Sequence, residues 1–255
     1  MSQNCNCDCC CKPVESVTLP VTGFRLPGLG MGIDVDASVL KGQGGKCAVN
    51  LDLYVATTGN DANDGLTPAT AFATVHRAVD YLKETCFKHA TVNIADGEYE
   101  GDRLLVQDIG QVIFSGQSRT GTNLRFTFRV TGMSAIYMEN LSLSNDTSAA
   151  NIGASANSAV ALCDVDLQSS KSQFIIESLY GAHLNLSGTV NCLGTPTYFI
   201  GARLGSSMEI SGSMSINGSC TGTLYSGEAS YLQASYCTFS GSVSGKRHVV
   251  TLLSG

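Results

Sequence analysis

An all-β fold, a parallel β-helix of about six coils, is what the sequence predicts, and three observations predict it. The first is a set of apolar columns spaced by 24 residues: Leu104, Phe128, Ile152, Ile176, Ile200, Leu224; Val112, Ile136, Val160, Leu184, Met208, Leu232; and Phe114, Met138, Leu162, Leu186, Ile210, Ala234. A fixed period of this size marks units that cannot bury their apolar faces alone and stack into one core. The second is the spacing between columns. Positions 112 and 114 and their copies lie two apart, as side chains on one face of a strand do, and Phe126/Phe128, Phe174/Ile176 and Tyr198/Ile200 repeat that spacing earlier in the unit. The third is the junctions. They are rich in Gly, Ser, Asn and Asp, as in Ser144-Asn145-Asp146 and Asn217-Gly218-Ser219, with no i, i+3, i+4, i+7 stripe and no leucine-rich signature. Coils stacked at about 4.8 Å with two or three strands each need about this many residues.

The elements follow in order. Residues 1–50 read as an extended arm, since Pro13, Pro20 and Pro27 with Gly23, Gly28, Gly30 and Gly32 leave no apolar periodicity. Its start carries Cys5, Cys7, Cys9, Cys10 and Cys11. No second spaced C-x-x-C pair follows at zinc-ribbon distance, and neighbouring cysteines on one strand cannot all bridge locally, so interchain disulfides fit best; a soft-metal site and a reduced tail are the alternatives. Residues 51–90 hold a lead-in strand at Leu51, Leu53 and Val55, a turn-rich loop from Thr58 to Gly65, and a helix. Thr70 to Thr74 offer capping hydroxyls, and Val75, Ala78, Val79 and Leu82 form the helix's apolar face. That short α-helix should cap the first coil, covering its core and open strand edges. The β-helix occupies 91–245, and 246–255 is a tail.

Composition removes several classes of function. The net charge of −6 and a sequence pI near 5.1 exclude a basic nucleic-acid surface. No apolar run is long enough for membrane insertion, and Met1 to Pro13 is too polar for a secretory leader. No cofactor motif is present, and no metal set is assigned. Asp61, Asn63 and Gly65 partly match a calcium loop, but Phe72 stands where the bidentate Glu would be, so these side chains are expected to shape a turn.

Catalysis on a polysaccharide would need two carboxylates about 5–9.5 Å apart. Asp164 and Asp166 are the close pair, turned outward after a corner near Cys163, with Asn140, Gly188, Ser142 and Val190 as expected vertical neighbours. Solvated acids are the ordinary reading of such a pair, and His183, between Ala159 and Ser207, reads as a surface histidine. The alternation places Ile175 and Phe199 outward, with Tyr137 outward on the other strand. An apolar outer face predicts a subunit interface.

The run from Tyr54 to Val75, YVATTGNDANDGLTPATAFATV, resembles the opening motif of pectate-lyase-like right-handed β-helix proteins, a group that includes bacteriophage tailspike and tail-fibre proteins. It departs at Ala71, where such sequences often carry Pro. The resemblance implies a right-handed parallel β-helix and commonly a homotrimer, and says little about chemistry. The expectation is a structural component of a phage particle, a tailspike- or fibre-like appendage. It would be attached to other virion proteins through its N-terminal arm, exposed outside the host after lysis, and able to meet host-surface polysaccharide. A polysaccharide-degrading enzyme (lyase or glycoside hydrolase) of the same fold is the alternative, and a decoration protein without receptor binding is a third.

Overall fold

In the computed structural model the alternating apolar residues become short strands that stack in parallel, each coil upon the last. Residues 50–227, 229–240 and 243–245 are the ones the structure describes. The arm with Cys5, Cys7, Cys9, Cys10 and Cys11, and the tail 246–255, lie outside them. One sheet of eleven strands runs from Asn50–Val55 through His89–Ile94, Gly110–Gly116, Ser134–Asn145, Ala159–Ser169, His183–Gly194 and Ser207–Cys220 to Tyr231–Ser240. A second sheet stacks six strands, Leu104–Gln107, Phe128–Thr131, Ile152–Ala154, Phe174–Ser178, Tyr198–Ala202 and Gly222–Ser226. The protein is an all-β parallel solenoid of about six coils with about 24 residues per turn and one short helix.

The register keeps every column the sequence announces. Val112 pairs with Ile136, then Val160, Leu184, Met208 and Leu232; Leu104 pairs with Phe128, and Ile152 with Ile176, Ile200 and Leu224. From Leu104 to Leu224 the column members lie buried in a single core cluster, with Leu232 partly buried against it. At about 25 cal/mol per Å² of apolar surface removed from water, each Leu or Ile buried here favours folding by roughly 1.5–3 kcal/mol before entropy is counted.

Each long strand is bent once, so a coil has three faces. The bend falls on a left-handed residue: Asn140 (φ 53°), Asp164 (φ 55°) and Gly188 (φ 62°) stand one above another. Asn, Asp and Gly are the residues that adopt this conformation most readily. Before the bend lies the first face, after it the second, which starts lower down with Gly97–Glu100 and Thr122–Arg125. The six-stranded sheet is the third face.

Helix α1 (Val75–Glu84) begins at Thr74, whose extended backbone and hydroxyl accepting from the Arg77 N–H form an N-cap. Its buried Val75, Ala78, Val79 and Leu82 join the core cluster beside Leu53 and Val92. The helix therefore closes the first coil, as expected. Among the described residues no helix is long and apolar enough to cross a membrane.

Two side assignments need correction. Ile175 and Phe199 do not face outward: both are 0% exposed and belong to the core cluster. The pairing ladder runs from Phe174↔Tyr198 directly to Ile176↔Ile200, so strict alternation fails where the chain rounds the corner from the second to the third face. Column 151, 175, 199 turns inward there, and Asn151, also 0% exposed, fills it in the coil below. Phe174 and Tyr198 lie outside the core cluster and stack on each other with ring centroids 5.3 Å apart, beside Tyr225. Ile175 and Phe199 thus serve the protein's own core and offer nothing to a neighbouring subunit. Tyr137 is half-buried on the outer side of the first face.

The second correction concerns Asp166. The ladder slips by one residue after Gly188, pairing Val165 with Val190 and Asp166 with Asn191. Its upper neighbour is therefore polar Asn191, not Val190.

Candidate functional site

The slip at Gly188 brings polar residues into line along the second face. Glu98, Asn123, Ser142, Asp166, Asn191 and Ser215 pair in succession on its outer side. They alternate with inward Tyr99, Leu124, Leu143 and Leu167, which fix the strand's orientation through burial. Hydrogen bonds link the column: the Ser142 hydroxyl donates to Asn123 Oδ1 at 3.2 Å, and Asn191 Nδ2 donates to Asp166 Oδ1 at 2.5 Å. Arg119 Nε stands 3.4 Å from the same carboxylate oxygen.

Beside this column is a polar groove of about 570 Å³. Glu98, Glu100 and Arg125 form one end, Asn123, Ser144 and Asn145 the middle, and Gln168, Ser169 and Gly194 the other end. Arg125 Nη1 lies 3.4 Å from Glu100 Oε1 and 3.7 Å from Glu98 Oε2. The two glutamates are two residues apart on one strand, about 7 Å from Cα to Cα. Their side chains are 66% and 74% exposed, so both carboxylates are solvated as well as paired with Arg125. Asn145 Oδ1 accepts from the Thr147 N–H at 3.0 Å, while its buried Nδ2 has no partner. The groove therefore offers amides, hydroxyls and carboxylates in mixed donor and acceptor roles, the chemistry that matches a polyhydroxylated ligand.

Asp164 and Asp166 are brought close but occupied separately. Asp164, at the left-handed bend, accepts from the Thr189 N–H of the next coil at 2.9 Å and so braces the corner. Asp166 holds Asn191 and Arg119. His183 Nδ1 is 2.8 Å from the Ser207 hydroxyl, its vertical neighbour. Glu177 pairs with Arg203 at 3.2 Å.

No protein-family profile, curated protein or solved structure matches the chain. Its site is therefore read from geometry.

In the 58–74 loop the polar side chains hold backbone. Asp61 accepts from the Ala73 and Thr74 N–H groups at 2.8 and 2.9 Å and from the Thr74 hydroxyl at 2.9 Å. Asn63 Nδ2 donates to the Ala71 carbonyl at 3.0 Å. Asp64 accepts from the Thr70 hydroxyl at 2.6 Å and the Leu66 N–H at 3.1 Å, which together hold its carboxyl below the ordinary value. These bonds fold the loop against the lead-in strand, where Phe72 N donates to the Tyr54 carbonyl and Ala56 N to the Phe72 carbonyl.

Cys163, Cys192 and Cys220 are free thiols. Burial, with a smaller contribution from Asp166, pushes the Cys192 thiol up to about 12. Burial first, then Cys163 and Glu139, raises the Tyr137 hydroxyl well above its ordinary range.

The groove went unnoticed in the sequence because its repeat is irregular. Steps between members of the polar column vary from 19 to 25 residues, as the pairs Asn123↔Ser142 and Asp166↔Asn191 show. Glu98 and Glu100 flanking Tyr99 were the available signal, an alternation one coil before the apolar columns become obvious.

Proposed function

We propose that the chain is a structural component of a phage particle: a tailspike- or fibre-like homotrimeric appendage, exposed after host lysis and held to other virion proteins by its N-terminal arm. Its second face meets host-surface polysaccharide. The observation that carries the binding role is the polar groove of about 570 Å³ on a rigid solenoid wall, where Asn123, Arg125, Asn145 and Gln168 converge. Strands fix these side chains, so little ordering opposes binding. The resemblance of residues 54–75 to the opening motif of tailspike β-helices supports the virion setting.

Titration of the full chain with capsular polysaccharide or lipopolysaccharide by calorimetry tests this reading. Saturable binding that falls at least about tenfold in Arg125→Ala/Gln168→Ala, the equivalent of about 1.4 kcal/mol, is expected. Equal affinity of variant and wild type contradicts the groove. One observation favours the polysaccharide-degrading alternative: two carboxylates, Glu98 and Glu100, stand on the groove wall two residues apart on one strand. Their exposure and their shared Arg125 favour binding over cleavage.

A further inference from the structure

We infer that the polysaccharide accepted by the second-face groove is uncharged: a chain of hydroxyl- and amide-bearing sugars without carboxylate or phosphate groups. The inference rests on the binding role given above and names the class of chain that the same groove selects.

The groove is acidic, and its one cation is occupied. Three carboxylates, Glu98, Glu100 and Asp146, line it against the single guanidinium of Arg125. Arg125 Nη1 stands between the two glutamates, 3.4 Å from Glu100 Oε1 and 3.7 Å from Glu98 Oε2. A carboxylate or phosphate on a ligand would compete with both for that guanidinium, and it would do so in water, where exposed ion pairs gain little. Asp146 is exposed and has no ion pair among the described residues. The excess charge in the groove is therefore negative.

The surroundings do not reverse that sign. Arg119, beside the neighbouring polar column, stands 3.4 Å from Asp166 Oδ1. Asp102 and Arg103, which follow Gly101, cancel in charge, and Lys171, which follows Ser170, offsets one carboxylate at most. At longer range the net charge of −6 repels a polyanion before it arrives.

What the groove leaves free is neutral. The Gln168 amide and the Ser144 and Ser170 hydroxyls make no side-chain hydrogen bond among the described residues, and Asn123, which accepts from Ser142 at Oδ1, keeps its Nδ2 free. Amides and hydroxyls donate and accept, as sugar hydroxyls and acetamido groups require, and they carry no charge with which to hold an anion. The pairing spreads them over successive coils: Glu100 lies beside Arg125, Ser144 beside Gln168, and Asn145 beside Ser169 and then Gly194. A chain that fills the groove thus meets the glutamates at one end and Asp146 beside Asn145. Negative charge repeated in each sugar unit would be opposed at both places.

Calorimetric titration of the full chain with matched polysaccharides tests the inference. The probes are acidic bacterial capsular polysaccharides, the same samples after reduction of their carboxyl groups to alcohols, and uncharged lipopolysaccharide O-chains. Uncharged chains are expected to bind with an affinity that hardly changes between about 0.01 and 1 M salt, over which the Debye length falls from about 30 to about 3 Å. An acidic chain is expected to bind at least about tenfold more weakly than its reduced form. Glu98→Gln/Glu100→Gln/Asp146→Asn changes three exposed side chains without changing their size, and circular dichroism checks the fold. It frees Arg125, and the gap between acidic and reduced forms should narrow by about tenfold. An acidic chain that binds more tightly than its reduced form, or a gap that the triple variant leaves unchanged, overturns the inference and leaves the groove standing. A wild type that binds none of the chains, charged or not, removes the groove and the inference with it.

Discussion

Two corners of the solenoid make the same demand on the backbone and meet it differently. At the corner between the first and second faces, the left-handed positions are Asn140, Asp164 and Gly188, and Asp164 uses its carboxylate to accept from the next coil. At the corner between the third and first faces, the corresponding positions are Asp108 and Gly132 in the lower coils, where the Asp108 carboxylate likewise accepts from the Met133 N–H of the next coil, and Ala156, Tyr180 and Leu204 in the upper ones. The first set and the lower coils of this corner use residues suited to a left-handed backbone; Ala156, Tyr180 and Leu204 in the upper coils are not so suited.

The largest test of how a corner sorts its residues uses the corner between the second and third faces. Phe199→Ala empties a fully buried site and should cost about 3–5 kcal/mol in urea denaturation. Phe174→Ala removes a ring that is 3% exposed but lies outside the core cluster, covered by Tyr198 and Tyr225 on the outer side, and should cost less than Phe199→Ala. Equal losses would return Phe199 to the outer face. Next in size is Gly188→Val. A Cβ there would stand 2.6 Å from Cys163 Sγ at φ 62°, so a loss of roughly 1–3 kcal/mol is expected by the same measurement. Leu204→Asn should act in the opposite direction at the other corner, raising stability by about 0.5–1 kcal/mol when measured at dilutions where chains are dissociated. A loss there would mean that Leu204 serves the fold after all.

Two smaller effects depend on pH. The Cys192 thiol is raised from 9.0 to about 12, so its contribution is full below pH 9 and disappears as pH climbs toward 12. A thiol reagent near neutral pH should label half-exposed Cys163 before Cys192, which should react only on unfolding; early labelling of Cys192 would contradict its burial. Asp64 is lowered below 3.8, so its contribution is present above that value and is lost as pH falls through the folded value. Asp64→Asn should flatten the acid limb of the stability profile slightly, read by thermal melts from pH 5 to pH 2.

The sequence made the inner columns legible because burial imposes one residue class at one period. Helix α1 was legible for a similar reason: its apolar face and its Thr74 cap are local signals. The corners were not. Alternation assigned Ile175 and Phe199 outward, but a chain rounding a corner places consecutive residues on the same side, and Ile175 and Ile176 are both buried. The polar column was hidden by uneven steps, 19 residues from Asn123 to Ser142 and 25 from Asp166 to Asn191, the last giving Asp166 a polar neighbour that fixed 24-residue counting had missed. Asp164 and Asp166, read from the sequence as weak catalytic candidates without polar neighbours, are engaged with Thr189, Asn191 and Arg119.

The most direct test of the binding surface is the chain-length distribution of surface polysaccharide after prolonged incubation with the full protein, followed by size-exclusion chromatography. Polysaccharide of unchanged length co-eluting with the wild type, and eluting free of Arg125→Ala/Gln168→Ala, is the expected result. Shortened chains, or undiminished co-elution with the variant, would contradict a passive groove on the second face.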